Sequence, residues 1–342
     1  MKKPLVSIVI ASLNGGYKIS TCLNSLNNQT YDSSRIEILV VDDGSIDNTT
    51  AVATSFGVKV ITLDQNQGRA SARNIGWRTS RGEIILFTDD DCVASPSWVE
   101  RLINQYSPNV MAVGGQIVAL KTETLNEHYL QAIGYGNPAP SAFGISKNPI
   151  RRFVVYLSSM FNPAVSSGHT SLAQAIFTGN ASYRRSILEA INGFDESLIT
   201  AEDSDLATRA RVTFPDELMI FEPAAIVMHS HEPSIWRFAK ETYSRAHNTL
   251  AFYRKDKKVP PIYPFPILIT IIAIAGLILS PWLSLIILLV GPFVFYPWWI
   301  IRAIREHTPL ALIYGYCQSL YETAEVLGLV VGVLRLNQRL ET

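Results

Sequence analysis

The run Ile84-Ile85-Leu86-Phe87 leads straight into Thr88-Asp89-Asp90-Asp91, so an apolar segment of strand length delivers three consecutive carboxylates to its own end. Few folds accept that arrangement. The apolar residues need burial on both faces of a sheet, while the charges need an open edge, where they can share a divalent cation. Two more segments repeat the pattern. Val6 to Ile10 is an apolar run that precedes Ser12 and Asn14, and Ile38-Leu39-Val40-Val41 precedes Asp42-Asp43-Gly44-Ser45. Between the second of these and Ile84, Asp47-Asn48-Thr49-Thr50 caps a helix reaching Phe56, Val58 to Leu63 reads as a strand, and Gly68 to Ser80 as a helix. Strands and helices alternating in this way build an α/β unit with a mostly parallel sheet, and its ligands gather at the carboxyl ends of the strands.

Further residues fit a ligand at that edge. Arg69 and Arg73 lie four positions apart on one helix face, at an amino end whose dipole favours anions, with Gly68 beside them. The stretch Thr200-Ala201-Glu202-Asp203-Ser204-Asp205 puts three acids at a helix start, as a helix cap or as a source of a general base. Ile176-Phe177-Thr178 reads as a short strand, after which Gly179 lets a substrate approach the backbone and Asn180 can bond to hydroxyls. Ala225 to Met228 reads as another strand, ending in His229-Ser230-His231, whose two imidazoles point the same way.

Five segments taken together resemble the family 2 glycosyltransferases, an inverting group with the GT-A fold. They are Val6 to Asn14, Val40 to Thr49, Asn66 to Gly76, Phe87 to Asp91, and Thr178 to Asp205 with its Gly193-Phe194-Asp195-Glu196 and Glu202-Asp203. The resemblance runs over roughly residues 4 to 235. It implies a Rossmann-like GT-A nucleotide-binding sheet, a nucleotide-sugar donor, and Mg²⁺ or Mn²⁺. By the same resemblance Asp42 contacts the nucleobase, with Ser12 and Asn14 bordering base and ribose. Asp89 and Asp91 take the outer places of the D-x-D type motif, with Asp90 on the donor side, and His229 is a third metal ligand, His231 remaining an alternative. Asp203 is the expected base and Glu202 its neighbour, and Gly179 and Asn180 lie beneath the sugar. The Q-x-x-R-W motif of processive members is missing, since Ser234-Ile235-Trp236-Arg237-Phe238 has the tryptophan and arginine in another arrangement; a single-transfer enzyme is expected. Residues 121–175 match the family least, and acceptor specificity is expected there.

A chain of 342 residues exceeds one ordinary core, and its composition indicates where to divide it. The balance of 29 basic and 29 acidic residues excludes a nucleic-acid partner reached through bulk charge. The stretch Ile262 to Ile301 contains no charged residue, enough for two spans of ~20 residues, and Ser280-Pro281-Trp282 turns the chain back between them. Arg254, Lys255, Lys257 and Lys258 before this hairpin, and Arg302 and Arg305 after it, put both ends in the cytoplasm. Leu310 to Leu334 carries Glu322 and Glu325 and precedes Arg335 and Arg339, which favours an interfacial or re-entrant helix. The expected division is a catalytic domain over 1–235, a basic linker helix over 236–260, a transmembrane hairpin over 261–302 and an amphipathic tail over 303–342. Met1-Lys2-Lys3-Pro4 leads into an apolar run too short for a secretory signal, and Cys22, Cys92 and Cys317 are isolated, as in a reducing compartment.

The expectation is therefore a multi-pass cell-membrane enzyme with a cytoplasmic catalytic domain, acting on a lipid-linked or envelope glycan acceptor. One alternative is a polyprenyl-phosphate sugar synthase, which needs arginines at the acceptor, such as Arg151-Arg152 or Arg184-Arg185. Another is a degenerate glycan-binding scaffold, which has no need of acids at both the cation and base positions.

Overall fold

The computed structural model describes residues 3–137, 148–161, 169–255, 259–261 and 263–338. Lys257, Lys258, Ile262, Arg339 and the loop-like Pro138-Ala139-Pro140 and Ser166-Ser167-Gly168 lie outside the described residues. Contacts divide the chain into two compact units, the first formed by residues 1–121, 134–141 and 164–231, the second by 122–133, 142–163 and 232–342.

In the first unit the chain runs through β1 (Val6–Ser12), α1 (Ile19–Asn27), β2 (Ile36–Asp42), α2 (Thr49–Ser55), β3 (Lys59–Thr62) and α3 (Arg69–Thr79). It continues with β4 (Ile84–Asp89), β5 (Cys92–Ala94), α4 (Trp98–Ile103) and β6 (Val110–Ala119). After α5 (Leu125–Ile133) and α6 (Pro149–Phe161), which belong to the second unit, it returns as β7 (Ser171–Leu172), β8 (Asn180–Arg184), α7 (Arg185–Ala190), α8 (Glu202–Thr213) and β9 (Leu218–His229). The strands form one sheet in the order β3-β2-β1-β4-β8-β6-β9-β5, with β7 also on β9.

Alternation along the central strands explains why they read as unbroken apolar runs. Ile8, Ile10 and Leu86 enter one buried cluster, and Val9, Ile85 and Phe87 enter another on the opposite face. Strands β2, β1 and β4 are parallel, whereas β8 runs antiparallel to β4 and β6, so the sheet is mixed beyond its first, parallel half. The register pairs Ser12 with Asp42 and Ala11 with Asp89, which brings three strand ends to one edge. The chain proceeds from β1 to β2 on one side and reaches β4 on the other. The crevice between β1 and β4 is thus a topological switch point, where open α/β sheets bind ligands.

Two strands differ from the sequence reading. The strand expected at Ile176–Thr178 begins instead at Asn180, whose carboxamide is pulled inward to Trp98 and two backbone carbonyls. Strand β9 starts seven residues earlier than Ala225, at Leu218, and a register shift opposite Gly115/Gln116 carries it past Pro223. That proline breaks the periodicity a sequence reader follows.

The second unit holds α5, α6, α9 (Ile235–Lys255), α10 (Pro264–Leu279), α11 (Pro281–Phe295), α12 (Trp298–Arg305) and α13 (Tyr314–Gln338). The chain does turn back at Ser280, and Gly276 lies against Ser284 and Ile287 as α10 and α11 pack together. Gly328 and Gly332 let α13 approach the backbone of α9 at Tyr243 and His247. Inside, the Glu322 carboxylate accepts from Tyr156 Oη at 2.8 and 2.9 Å, Tyr296 Oη at 2.8 Å and Gln318 Nε2 at 2.8 Å. Gln318 Oε1 in turn accepts from the Trp298 and Trp299 indoles at 3.3 and 2.7 Å.

The helix lengths distinguish the apolar segments. At 1.5 Å per residue, 16-residue α10 and 15-residue α11 are each about 24 Å long or less, short of a ~30 Å hydrocarbon core. Among the described residues, the one helical stretch long and apolar enough to cross a membrane by itself is Pro309–Arg335, which the sequence had marked as interfacial. Within it Glu322 is buried among tyrosines. Helices α11 and α12 pass the same test only as a pair bent by 62°.

One close approach fixes α3 on the sheet. A Cβ at Gly76 would lie 2.3 Å from Val9 Cγ1 and 3.3 Å from Val41 Cγ2. Gly76→Val should therefore destabilise the first unit by about 1–3 kcal/mol or more, read as a lower urea midpoint with unchanged slope.

Candidate active site

Every acid at the switch point has a distinct partner. Ser12 Oγ, at the end of β1, donates to Asp90 Oδ2 at 2.5 Å, and Gly15 packs so closely that its Cβ would meet the same oxygen. Burial, opposed by the Ser12 bond and reinforced by the charges of Asp91 and Asp89, pushes the Asp90 carboxyl up to about 6. Asp91 takes Lys18 Nζ at 3.2 Å on Oδ2 and lies 3.4 Å from His229 Nε2 through Oδ1. Asp89 pairs with Arg73 through Nη2 at 2.8 Å. Burial would raise the Asp89 carboxyl, but the Arg73 guanidinium holds it below the usual carboxylate range.

Donor atoms of Asp89, Asp91, Cys92 and His229 all fall within 4.8 Å of one another. The register explains this, since β5 and β9 pair antiparallel with Cys92 opposite His229, and Ser230 N extends the ladder to Asp91 O at 3.0 Å. Two carboxylates and an imidazole suit Mg²⁺ or Mn²⁺. Cys92 is the odd member. Its buried thiol is held far above its ordinary range, chiefly by desolvation and then by the Asp89 and Asp91 charges, so as a protonated group it offers a hard cation little.

Arg73 was expected to face the nucleotide, and the structure corrects this. The side chain is buried, with Nη1 on Glu202 Oε1 at 2.6 Å as well as Nη2 on Asp89. It ties Asp89, at the end of β4, to the start of α8. Four residues earlier Arg69 is exposed, as is the open face above Gly68, where a Cβ would meet nothing within 4 Å. The amides of Gln67 and Gly68 donate to Asp43 at 2.7 and 2.9 Å, so a carboxylate already serves the entry to α3. Asp42 is buried too. Its oxygens accept from Ser45 N at 2.9 Å and from Thr50 Oγ1, the geometry of a capped turn rather than of an exposed base contact. Asn14 is exposed and left-handed at φ 54°, and its Oδ1 accepts from Ile46 N at 3.0 Å, joining the loops after β1 and β2.

On α8 the three acids separate by environment. Glu202 is buried on Arg73, and Asp205 is fully buried on Arg209 Nε at 2.7 Å. Asp203 is half-buried, has no ion-pair partner among the described residues, and accepts from Ser204 N at 2.7 Å. Desolvation first and the neighbouring Glu202 charge second push its carboxyl above the usual range, outweighing Arg73. A carboxylate so tuned is suited to take a proton near neutrality.

Gly179 lies beside the cluster, a Cβ there falling 3.2 Å from Asp89 Oδ2, and its carbonyl accepts from Thr88 Oγ1 at 3.0 Å. Asn180, expected to bond a sugar, is 1 % exposed and points away. Its Oδ1 accepts from Trp98 Nε1 at 2.8 Å, and its Nδ2 donates to Gln116 O at 2.9 Å and Ala225 O at 2.8 Å. Of the four arginines proposed for a phosphate acceptor, Arg151 is exposed and the other three bond to backbone. Arg184 bonds Val110 O and Ser107 O, Arg185 bonds Gly82 O and Trp77 O, and Arg152 bonds Pro260 O. Lys18 and the Arg73 bridge were not anticipated. Lys18 carries no motif, and pairing across 129 residues leaves no local signal.

Comparison with known proteins gives the family. The family model described as "Glycosyl transferase family 2" matches residues 7–191, and the chain belongs to that family, as its ordered segments had implied. It is 38 % identical over 120 residues to the glycosyltransferase AglE of Haloferax volcanii, covering 33 % of this chain and 40 % of that protein. It is 30 % identical over 141 residues to the glucosyl-dolichyl phosphate glucuronosyltransferase of the same organism, covering 38 % and 44 %. The chain spans less than half the length of the curated relatives it matches. Among solved structures, the mannosyltransferase PcManGT from Pyrobaculum calidifontis in complex with GDP-Man and Mn²⁺ superposes with a TM-score of 0.55 at 18 % identity, over 98 % of this chain and 87 % of that one. At that identity the shared property is the GT-A fold.

Asn180→Ala removes the partner of the buried Trp98 indole and should cost about 1–3 kcal/mol. The expected result is a lower Tm with an unchanged donor KM; a raised KM at unchanged Tm would return Asn180 to the sugar.

Proposed function

We propose that this protein is a metal-dependent inverting glycosyltransferase that moves one sugar per encounter from a nucleotide-sugar donor to a lipid-linked or envelope glycan acceptor. The observation that carries the reading is the separation of acids. Asp89, Asp91 and His229 converge on one point, while Asp203, alone among the α8 acids, lacks an ion-pair partner among the described residues. A binding scaffold would need neither arrangement. The nucleotide lies in the switch-point crevice, bordered by Ser12, Asn14, Asp90, Gly68 and Arg69. Asp89, Asp91 and His229 would hold Mg²⁺ or Mn²⁺, which supplies charge neutralisation to the departing diphosphate. Asp203 takes the acceptor hydroxyl proton. The acceptor oxygen then bonds to the anomeric carbon from the face opposite the diphosphate, whose bond to that carbon breaks with the electron pair leaving on oxygen.

Helices α10 to α13 support membrane attachment, with the catalytic unit cytoplasmic and Arg254, Arg302 and Arg305 on that side. Apolar side chains such as Ile278, Leu279, Trp282, Val294 and Ile304 are each more than half exposed, an arrangement that lipid stabilises and water does not. Similarity to a protein named for a dolichyl phosphate substrate favours a lipid-linked acceptor.

Detergent-purified full-length protein, given a panel of nucleotide sugars with and without Mn²⁺, should hydrolyse or transfer from one of them. Chelator or Asp91→Ala should abolish turnover, and full activity in EDTA would refute the cation assignment. Asp203→Asn should lower the rate by ~10² or more with donor affinity little changed. In wild type the rate should fall as pH drops through a pKa above the ordinary carboxylate range, because the base must be ionised. That acid limb should vanish in Asp203→Asn.

A further inference from the structure

The second histidine of His229-Ser230-His231 lies behind the cation cluster rather than in it. His231 is 5 % exposed, packed edge-on against Tyr135 with ring centroids 5.7 Å apart. Its Nδ1 lies 3.1 Å from Nδ1 of His229, a hydrogen-bond distance, with the two rings tilted by 40°. The far nitrogen of His229, Nε2, is the one that faces Asp91 at 3.4 Å. Two nitrogens of the same kind can share one hydrogen between them only if one donates and the other accepts.

From this contact we infer that His231 is a positioning residue that sets the tautomer and ring angle of His229 for the cation. The inference rests on the cation reading given above. With the Nε2 lone pair of His229 turned to the cation, its hydrogen sits on Nδ1 and is donated to Nδ1 of His231. His231 must then be neutral, with its own hydrogen on Nε2. Such outer partners of a ligating imidazole fix its orientation and raise its basicity, and their loss typically weakens metal binding by ~10–100-fold. The backbone supports the same arrangement. Ser230 N is bonded to Asp91 O, so the extended geometry of β9 continues far enough for residues 229 and 231 to share a side.

The test uses the full chain in detergent and Mn²⁺ alone, followed by the loss of the free-ion EPR signal, with nitrogen modulation in pulsed EPR reporting imidazole coordination. His231→Phe keeps a ring and removes the acceptor. His231→Asn places an amide oxygen near the Nδ1 position and keeps it. The expected result is Mn²⁺ binding weakened ~10-fold or more with reduced nitrogen modulation in His231→Phe, recovery to within ~3-fold of wild type in His231→Asn, and no additional loss when His231→Phe is combined with His229→Ala. Where His231→Phe fails to fold, His231→Gln, whose amide sits one bond further out, replaces it. Wild-type binding and modulation in the acceptor-less variant, while Asp91→Ala binds poorly, would overturn the role of His231. Unchanged binding in Asp91→Ala as well would overturn the cation reading itself.

Discussion

The guanidinium of Arg73 holds the site together. It is buried and pairs with two carboxylates, the partly exposed Asp89 from the end of β4 and the buried Glu202 from the start of α8, and these lie more than a hundred residues apart in sequence. A buried cation with fork geometry can satisfy both acids at once, while a lysine could serve only one well. Removing it would strand the buried Glu202 charge, a loss of about 3–5 kcal/mol by analogy with other broken buried pairs, and would leave the partly exposed Asp89 without its partner. The bridge also decides what remains for chemistry. Glu202 is spent on structure, Asp89 keeps one oxygen toward the cluster, and Asp203 is left to titrate in a partly desolvated place.

The parallel half of the sheet was legible because its strands are buried on both faces and end in polar residues, a pattern that needs no tertiary information. The same holds for the cluster of Asp89, Asp91 and His229, since strand ends on one sheet edge must converge. Legibility failed where side chains turn inward. Asn180, Asp42 and Arg73 are residue types that bind ligands when exposed, and nothing local in the sequence says that a tryptophan indole, a threonine hydroxyl or a distant glutamate occupies them first. Pro223 hid the first half of β9 for a different reason, because a bulge interrupts the period that reveals strands.

In the second unit an acid inside an apolar helix gives no local sign of its partners. Glu322 is an acid within an apolar helix, which from sequence argues for a surface position. Two tyrosines and a glutamine supply it with donors, so the carboxylate joins α6, the end of α11 and α13 through directional bonds. Unpaired polar groups are costly in an apolar environment, and a satisfied one confers a particular arrangement of helices that packing of leucine and isoleucine alone would specify less well.

Strand β5 has only three residues and lies at the end of the sheet, held by three register pairs to β9. So short an edge strand has few ladder bonds to lose, while Cys92 and Ala94 anchor it in the buried core. Asp91 stands immediately before it and His229 sits opposite its first residue. A ligand that engages both side chains therefore closes this edge as well as filling the crevice, and amide exchange at Cys92 to Ala94 becomes a direct gauge of how fully the crevice is occupied.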